Sequence, residues 1–167
     1  MKHRIFWTRF FLAATLATAA LIFFFSAQQG PDSAALSDGV TLQVAKVVNP
    51  DFNDLSPVQK LSFLEQLSAI VRKCAHFGEF ALLGFNLLCW LWLRRWRRPA
   101  LGALPPAWGI ATLYAGTDEL HQMFVSERGP ALLDVCIDSA GALTGALVAL
   151  LGVALLARLA RRQTAKA

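Results

Sequence analysis

The sequence is poor in charge and has no paired cysteines. Asp, Glu, Lys and Arg make up 16% of the 167 residues, whereas 56% of the residues are hydrophobic. So little charge is atypical of a soluble domain of this length. The three cysteines, Cys74, Cys89 and Cys136, are odd in number, far apart, and in or beside apolar runs. This pattern excludes a disulfide framework and a zinc knuckle, and we interpret the cysteines as packing residues.

The formal net charge of +5 does not indicate a nucleic-acid partner. The basic residues lie at the ends of apolar runs and are not gathered on one soluble face. This distribution is typical of a membrane protein, so we expect membrane lipids as partners and no nucleic acid. The sequence also lacks HExxH or another dense ligand motif, so we expect no metal and no cofactor.

Long apolar runs are what the sequence does contain. A transmembrane helix needs about 20 mostly apolar residues, and four segments meet this requirement. We therefore predict an all-α, polytopic membrane protein with a single domain over residues 1–167. The predicted spans cover residues 6–25, 74–93, 100–125 and 134–157. We expect the first span to be an uncleaved anchor, because Phe25-Ser26-Ala27 is a poor signal-peptide cleavage site.

The distribution of charge predicts the orientation of these spans. Lysine and arginine in short loops favour the cytoplasmic side of the membrane. Eleven of the 16 basic residues flank the termini or fill the turn between spans two and three, and all 11 acidic residues fall on the opposite side. These basic residues are Lys2, Arg4, Arg9, Arg94, Arg95, Arg97, Arg98, Arg158, Arg161, Arg162 and Lys166. We expect a multi-pass protein of the cell (cytoplasmic) membrane with both termini cytoplasmic.

Residues 26–72 are polar and contain several prolines, so we expect an extracytoplasmic segment between spans one and two. Ser56, Pro57 and Gln59 form a capping box, which predicts the start of a helix. Apolar residues follow at helical spacing: Leu61, Phe63, Leu64, Leu67, Ile70 and Val71. We predict a short amphipathic helix that leads into span two.

Polar residues recur at helical spacing near the outer ends of three predicted spans. They are Arg72, His76, Glu79 and Asn86 on span two, Tyr114, Asp118, His121 and Gln122 on span three, and Asp134 and Asp138 on span four. Gly141 and Gly145 share the face of these aspartates and predict close helix packing there. Glu119 is expected to turn partly away. Ionisable residues are costly in a membrane, so we expect one shared site at the outer face.

Cations, carboxylates and two histidines together can hold a phosphate-like anion and transfer protons. We predict catalytic roles for His76, Glu79, Asp118, His121 and Asp134. We predict substrate binding by Arg72, Lys73, Gln122, Arg128 and Asp138. Structural roles are the alternative: a His76–Glu79 ion pair, a hydrogen-bonded cap around Asp118, and salt-bridged aspartates. A metal bound by the histidines and carboxylates is a weaker alternative.

Several of these segments resemble the VanZ-like family of bacterial integral membrane proteins. The segments are RKCAHFGEF at 72–80, DELHQ at 118–122, Arg128, residues 134–141, and the Phe25-Ser26-x-Gln28 exit from span one. The resemblance extends from span one to span four and implies the membrane fold and the polar site. Asp138 differs from the Asn that the family usually carries there, and it adds negative charge. The family takes its name from low-level resistance to the glycopeptide teicoplanin.

Three functional hypotheses follow. The first is an enzyme that acts at the outer leaflet on a lipid-linked or cell-envelope substrate. The second is a non-catalytic protein that binds lipid headgroups or a partner and alters surface access. The third is a proton-coupled transporter, which would need ionisable residues deep in the membrane, whereas only Asn86 is both deep and strongly polar here.

Overall fold

The computed structural model describes residues 2–27, 30–94, 99–122 and 132–164, with no account of the side chains of residues 30–37 and of a few at the end of the last helix. Every regular element in these ranges is helical, as predicted. The helices are α1 (Lys2–Ser26), α2 (Gly30–Val48), α3 (Pro57–Arg94), α4 (Leu104–Gln122) and α5 (Leu132–Thr164). Short 3-10 helices at Pro50–Asp54 and Ala100–Ala103 precede α3 and α4.

Three helices in the described part of the chain are long and apolar enough to cross a membrane: Lys2–Ser26, Pro57–Arg94 and Leu132–Leu159. The predicted third span corresponds to α4, which has 19 residues and ends in the polar run Asp118–Gln122. This polar end lowers its mean hydropathy, so α4 does not meet the same requirement. Pro105 and Pro106 lie in its first turn, where proline is tolerated because no backbone donor is lost.

The segment between α1 and the membrane part of α3 differs from the prediction. The expected short amphipathic helix is not separate, because it is the first part of the 38-residue α3. Its capping box is confirmed: the Ser56 N–H donates to Gln59 Oε1 at 3.0 Å, and the Gln59 N–H donates to Ser56 Oγ at 3.4 Å. The helix α2 was not predicted. It packs on α3 through a small outer cluster formed by Ala45, Phe52 and Leu67, all of them buried.

The main core lies among α1, α3, α4 and α5. Phe80 and Leu88 of α3 are fully buried, together with Ile22 of α1. The alanines of α4 and α5 complete this core: Ala107, Ala111, Ala115, Ala142, Ala146 and Ala149. Small residues let the helices approach closely, whereas large apolar side chains such as Leu16, Leu113 and Leu151 are exposed on the outside. An apolar exterior around a small-residue interior is typical of a helical membrane protein.

Candidate functional site

The ends of α1 and α4 are joined by a buried hydrogen-bond network. Ser26, the last residue of α1, donates its hydroxyl hydrogen to Asp118 Oδ2 at 2.6 Å. Gln122 Nε2 donates to Ser26 Oγ at 2.8 Å and to Asp118 Oδ2 at 3.1 Å. Ser26 is fully buried and Asp118 is 4% exposed. The network fixes the position of one oxygen of the Asp118 carboxylate.

Two further contacts hold α4 against α1. The Tyr114 hydroxyl donates to the backbone oxygen of Ala19 at 2.7 Å. The His121 ring lies on the Phe23 ring, with 4.7 Å between centroids and 30° between planes. The contacts occur in the same order along both helices: Ala19, Phe23 and Ser26 of α1 meet Tyr114, His121 and Gln122 of α4 in turn. The two helices therefore run parallel and finish at the same end.

Close packing of α3 and α5 brings their polar residues to this same end. A Cβ added at Gly141 would overlap the backbone of Phe77, and one at Gly145 would overlap the backbone of Ala81. The prediction of close packing at these glycines is therefore confirmed. About two to three turns before these glycines on α5, Asp134 Oδ1 accepts a hydrogen bond from Lys73 Nζ at 2.5 Å. Both side chains are partly exposed, so this ion pair forms an accessible rim of the site.

His76 and Glu79 lie next to each other on α3. His76 Nδ1 is 3.8 Å from Glu79 Oε2, and the two side chains are 24% and 27% exposed. This distance fits the ion pair that the helical spacing predicts. Because both side chains are partly exposed, they can meet a ligand as well as each other.

Five carboxylates surround this end of the bundle. Asp138 lies within electrostatic range of four other acidic side chains: Glu79, Asp118, Glu119 and Asp134. Asp118 also lies within range of Glu79. Glu119, which we expected to turn partly away, is 7% exposed and lies within electrostatic range of Asp138. We call Asp118, Glu119 and Asp138, which are all buried, the acidic floor of the site.

Three oxygen atoms of this group have no hydrogen-bond partner within the described residues. They are Glu79 Oε2, Asp118 Oδ1 and Asp138 Oδ1, and His121 Nε2 shares this property. A buried polar atom without a partner is costly, so the arrangement leaves acceptors available for a ligand. Within the described ranges, no three or more His, Cys, Asp or Glu residues are arranged to hold a metal ion.

Two of the predicted binding residues need separate mention. Arg72 lies on α3 beside Lys73 and is partly buried, but it forms no ion pair with a described residue. Arg128 lies outside the described residues. The other eight predicted site residues all lie at the end of the bundle where α1 and α4 finish.

Asn86 has a structural contact and lies apart from the site. It is 5% exposed and donates from Nδ2 to Thr18 Oγ1 at 3.2 Å. The pair joins α3 to α1 in the middle of the bundle. The polar face predicted on α3 therefore divides into a site near His76 and Glu79 and a helix contact at Asn86.

Sequence reasoning did not assign Ser26, Phe23 and Glu119 to the site. Ser26 has no periodic polar neighbours that would mark it. The signal that it does carry is the Phe25-Ser26-x-Gln28 motif, which is part of the family resemblance. In the structure Ser26 ends α1 beside Asp118. Phe23 carries no polar signal, because it contributes a ring surface to His121.

The apolar helices and the polar cluster at one end of the bundle define an all-helical, multi-pass membrane protein. The family model of VanZ/LLP1 matches residues 11–156, which is most of the chain. The chain therefore belongs to the VanZ/LLP1 family, as the resemblance of its motifs predicts. Neither the comparison with curated proteins nor that with solved structures finds a match.

Proposed function

We propose that the protein crosses the cytoplasmic membrane four times, with both termini cytoplasmic and the polar site at the extracytoplasmic face. Two features of α4 support a fourth span. At 1.5 Å per residue its 19 residues extend over roughly 28 Å, close to the thickness of the hydrocarbon core. Its Leu113 and Ile110 side chains also face outward, as expected for contact with lipid. The orientation is supported by the predominance of arginine and lysine near the termini.

Labelling of introduced cysteines tests this topology. With the native cysteines replaced, a cysteine at Val58, which is highly exposed at the start of α3, should react with a membrane-impermeant maleimide in intact cells. A cysteine at Lys2 should react only after permeabilisation. The opposite pattern of labelling would invert the proposed orientation.

At the site itself, the protein acts on a lipid-linked or cell-envelope substrate that reaches the polar cluster from the outer leaflet. The observation that supports this function is the meeting of acid, base and cationic groups from three helices at one end of the bundle. Lys73 and Asp134 join α3 to α5, while Asp118 and Gln122 join α4 to α1. Such groups, held in a low-dielectric surrounding, are suited to proton transfer and to binding of charged groups.

Each site residue has a proposed role in this chemistry. His76 or His121 transfers protons, and Glu79, Asp118 and Asp134 orient these histidines. Arg72 and Arg128 bind the anionic group of the substrate. Lys73, Gln122 and Asp138 are further substrate contacts at the same end of the bundle.

Single substitutions provide the direct test. His76→Gln, His121→Phe, Asp118→Asn and Asp134→Asn should each lower the envelope phenotype when protein levels are equal. His121→Phe keeps a ring for Phe23 to pack against and removes the ring nitrogens, so it separates chemistry from packing. Glu65→Gln on the exposed part of α3 is the matched control. Full function in all four site variants would contradict a catalytic role.

A second candidate is a non-catalytic protein that binds lipid headgroups or a partner and alters surface access. It is favoured by the engagement of Asp118 and Asp134 in contacts within the protein. Under this alternative Arg128→Lys retains function, and purified protein forms no product from labelled envelope lipids. Turnover of such lipids by the purified protein would exclude this alternative.

Membership of the family also supports a link to glycopeptide susceptibility. We expect that removal or overproduction of the protein changes the concentration of teicoplanin that stops growth of its host. A susceptibility assay with the wild type and with Asp118→Asn measures this effect. Equal susceptibility at all expression levels would separate this member from the resistance phenotype.

A further inference from the structure

Within the described residues, the five carboxylates of the site outnumber the ion pairs that they form. Lys73 forms an ion pair with Asp134 at the rim, but Asp118 and Asp138 are buried and form no ion pair with a described residue. Each of these two aspartates is 4% exposed and has one carboxylate oxygen without a hydrogen-bond partner in the described part of the chain. An unpaired carboxylate in such a position is strongly unfavourable without a cation or a donor.

The arrangement of these acceptors limits what can fill the site. The three oxygens without a hydrogen-bond partner in the described residues are Glu79 Oε2, which lies 3.8 Å from His76 Nδ1, Asp118 Oδ1 and Asp138 Oδ1. They come from three different helices. A primary ammonium group has three N–H donors and one positive charge, so it can satisfy three such acceptors at once. A quaternary ammonium group has the charge but no donor.

The partly exposed side chains of the site lie on α3 and at the start of α5. The side chains of His76 and Glu79 are about a quarter exposed, and those of Lys73 and Asp134 are exposed to a larger extent. A ligand that enters past these residues meets Lys73 first and the acidic floor next. A headgroup with a phosphate and a primary ammonium matches this order of charge, since the phosphate can remain near Lys73 while the ammonium enters.

We propose that Glu79, Asp118 and Asp138 form a binding site for a primary ammonium group, supplied by the headgroup of an aminophospholipid or by a soluble amine. This inference rests on the proposed function, because it names the chemical class of ligand that the same site takes. It assigns Asp138 a specific role: its carboxylate selects a ligand with N–H donors over one with a methylated nitrogen.

The test compares headgroups that differ only in N-methylation. The purified full-length protein is reconstituted in nanodiscs that contain phosphatidylethanolamine or phosphatidylcholine with identical acyl chains. Retained lipid is measured by native mass spectrometry, and the midpoint of thermal unfolding is measured in parallel. We expect preferential retention of phosphatidylethanolamine and a higher midpoint in its presence.

Substitution of the acidic residues shows which of them determine the preference for phosphatidylethanolamine. Asp138→Asn keeps the shape of the side chain and removes its charge, so we expect about a tenfold or greater loss of preference for phosphatidylethanolamine. Glu65→Gln is the control and should keep the preference. The unfolding midpoint of Asp138→Asn in phosphatidylcholine shows whether the variant is folded. If it is not, Glu79→Gln at the more exposed edge of the site replaces it.

A parallel experiment with a soluble amine identifies the source of the ammonium group. If ethanolamine added to phosphatidylcholine nanodiscs stabilises the protein as much as phosphatidylethanolamine does, the site is supported with a soluble amine as its ligand. Equal retention of both lipids without an effect of ethanolamine, or an unchanged preference in Asp138→Asn, would overturn the inference. In that event, loss of the envelope phenotype in His76→Gln would still support the proposed function, because it does not depend on the amine.

Discussion

Ser26 and Asp118 are 92 residues apart in the sequence and share a 2.6 Å hydrogen bond in the buried end of the bundle. The serine donates to the carboxylate, and Gln122 donates to both residues. The pair therefore connects the end of α1 to the part of α4 that carries the predicted catalytic residues. Asp118 Oδ2 accepts this hydrogen bond, whereas Asp118 Oδ1 has no hydrogen-bond partner among the described residues.

Replacement of Ser26 should weaken both the fold and the site. Ser26→Ala removes a donor to a buried carboxylate and an acceptor for Gln122, so we expect a loss of about 1–3 kcal/mol in the free energy of unfolding. Thr117→Ala is the control, because Thr117 is exposed and its hydroxyl bonds only to its own helix. Chemical unfolding in detergent measures both variants. An equal loss of unfolding free energy in Ser26→Ala and Thr117→Ala would mean that the buried Ser26 contact stabilises the protein no more than an exposed hydrogen bond.

The glycines of α5 provide a second prediction. Gly145→Ala places a methyl group against the backbone of Ala81 on α3, which neither helix can avoid without moving apart. We expect a loss of about 1–3 kcal/mol by overpacking. Gly152→Ala, about two turns further along α5, meets no atom within 4 Å and should be neutral or slightly stabilising, because alanine favours the helix.

The distance between spin labels on α3 and α5 gives a structural measurement of the same effect. The labels are attached to cysteines at Leu82 and Leu147, which are both exposed, in a chain whose native cysteines have been replaced. The distance should lengthen when Gly145→Ala is added and should stay the same when Gly152→Ala is added. An unchanged distance in both backgrounds would contradict the close contact of these helices.

The polar faces of α3, α4 and α5 were predictable from helical spacing together with the free-energy cost of burying charged side chains in the hydrocarbon. Spacings of three and four residues place His76 and Glu79 on one side of α3, and charge avoids the hydrocarbon, so the faces must converge at one end. Neither rule fixes the rotation of α1. The contact between Ser26 and Asp118 depends on that rotation, and it was not predicted for this reason.

The burial of Glu119 and the helix α2 were not predicted. A helix turns by 100° per residue, so Glu119 was expected to turn partly away from the face that carries Asp118. In the structure it is 7% exposed. The sequence of α2 has glycine and polar residues among its valines and leucines, and the buried side chains in its described part, Thr41 and Ala45, are small. Amphipathic spacing detects large residues more readily than small ones.

The ion pair between Lys73 and Asp134 should contribute modestly to stability, because both side chains are partly exposed. We expect a coupling free energy of about 0.2–1 kcal/mol between Lys73→Met and Asp134→Asn in a double-mutant cycle. The cycle is measured by unfolding in detergent at low and high salt, and the coupling should fall with salt. Strict additivity of the two substitutions at low salt would show that the pair has no energetic role.

Asn86 and Thr18 give a prediction for the middle of the bundle. Thr18→Val removes the acceptor of the Asn86 amide, so we expect a loss of about 0.6–1.7 kcal/mol, the range found for hydrogen bonds between membrane helices. Thr144→Val is the control, because its hydroxyl is exposed and bonds within α5. An equal loss in Thr18→Val and Thr144→Val would contradict a stabilising role for the contact between Asn86 and Thr18.

The outer cluster should open independently of the main core. Phe52 is buried against Ala45 and Leu67, and its ring centroid is 6.0 Å from that of Phe63. Phe52→Ala should therefore release α2 from α3, because this cluster holds the described side chains of α2 on α3. Hydrogen exchange should become faster in α2 and remain slow around Phe80 in the main core.

Val47→Ala is the matched control for Phe52→Ala, because Val47 lies on the same helix as Ala45 and is 82% exposed. It should leave the exchange of α2 unchanged. If Phe52→Ala accelerated exchange around Phe80 as much as in α2, the outer cluster and the main core would unfold as one unit. Slow exchange around Phe80 in this variant would mean that α2 can detach while the site between α3, α4 and α5 remains assembled, so that a site variant's phenotype can be measured without α2.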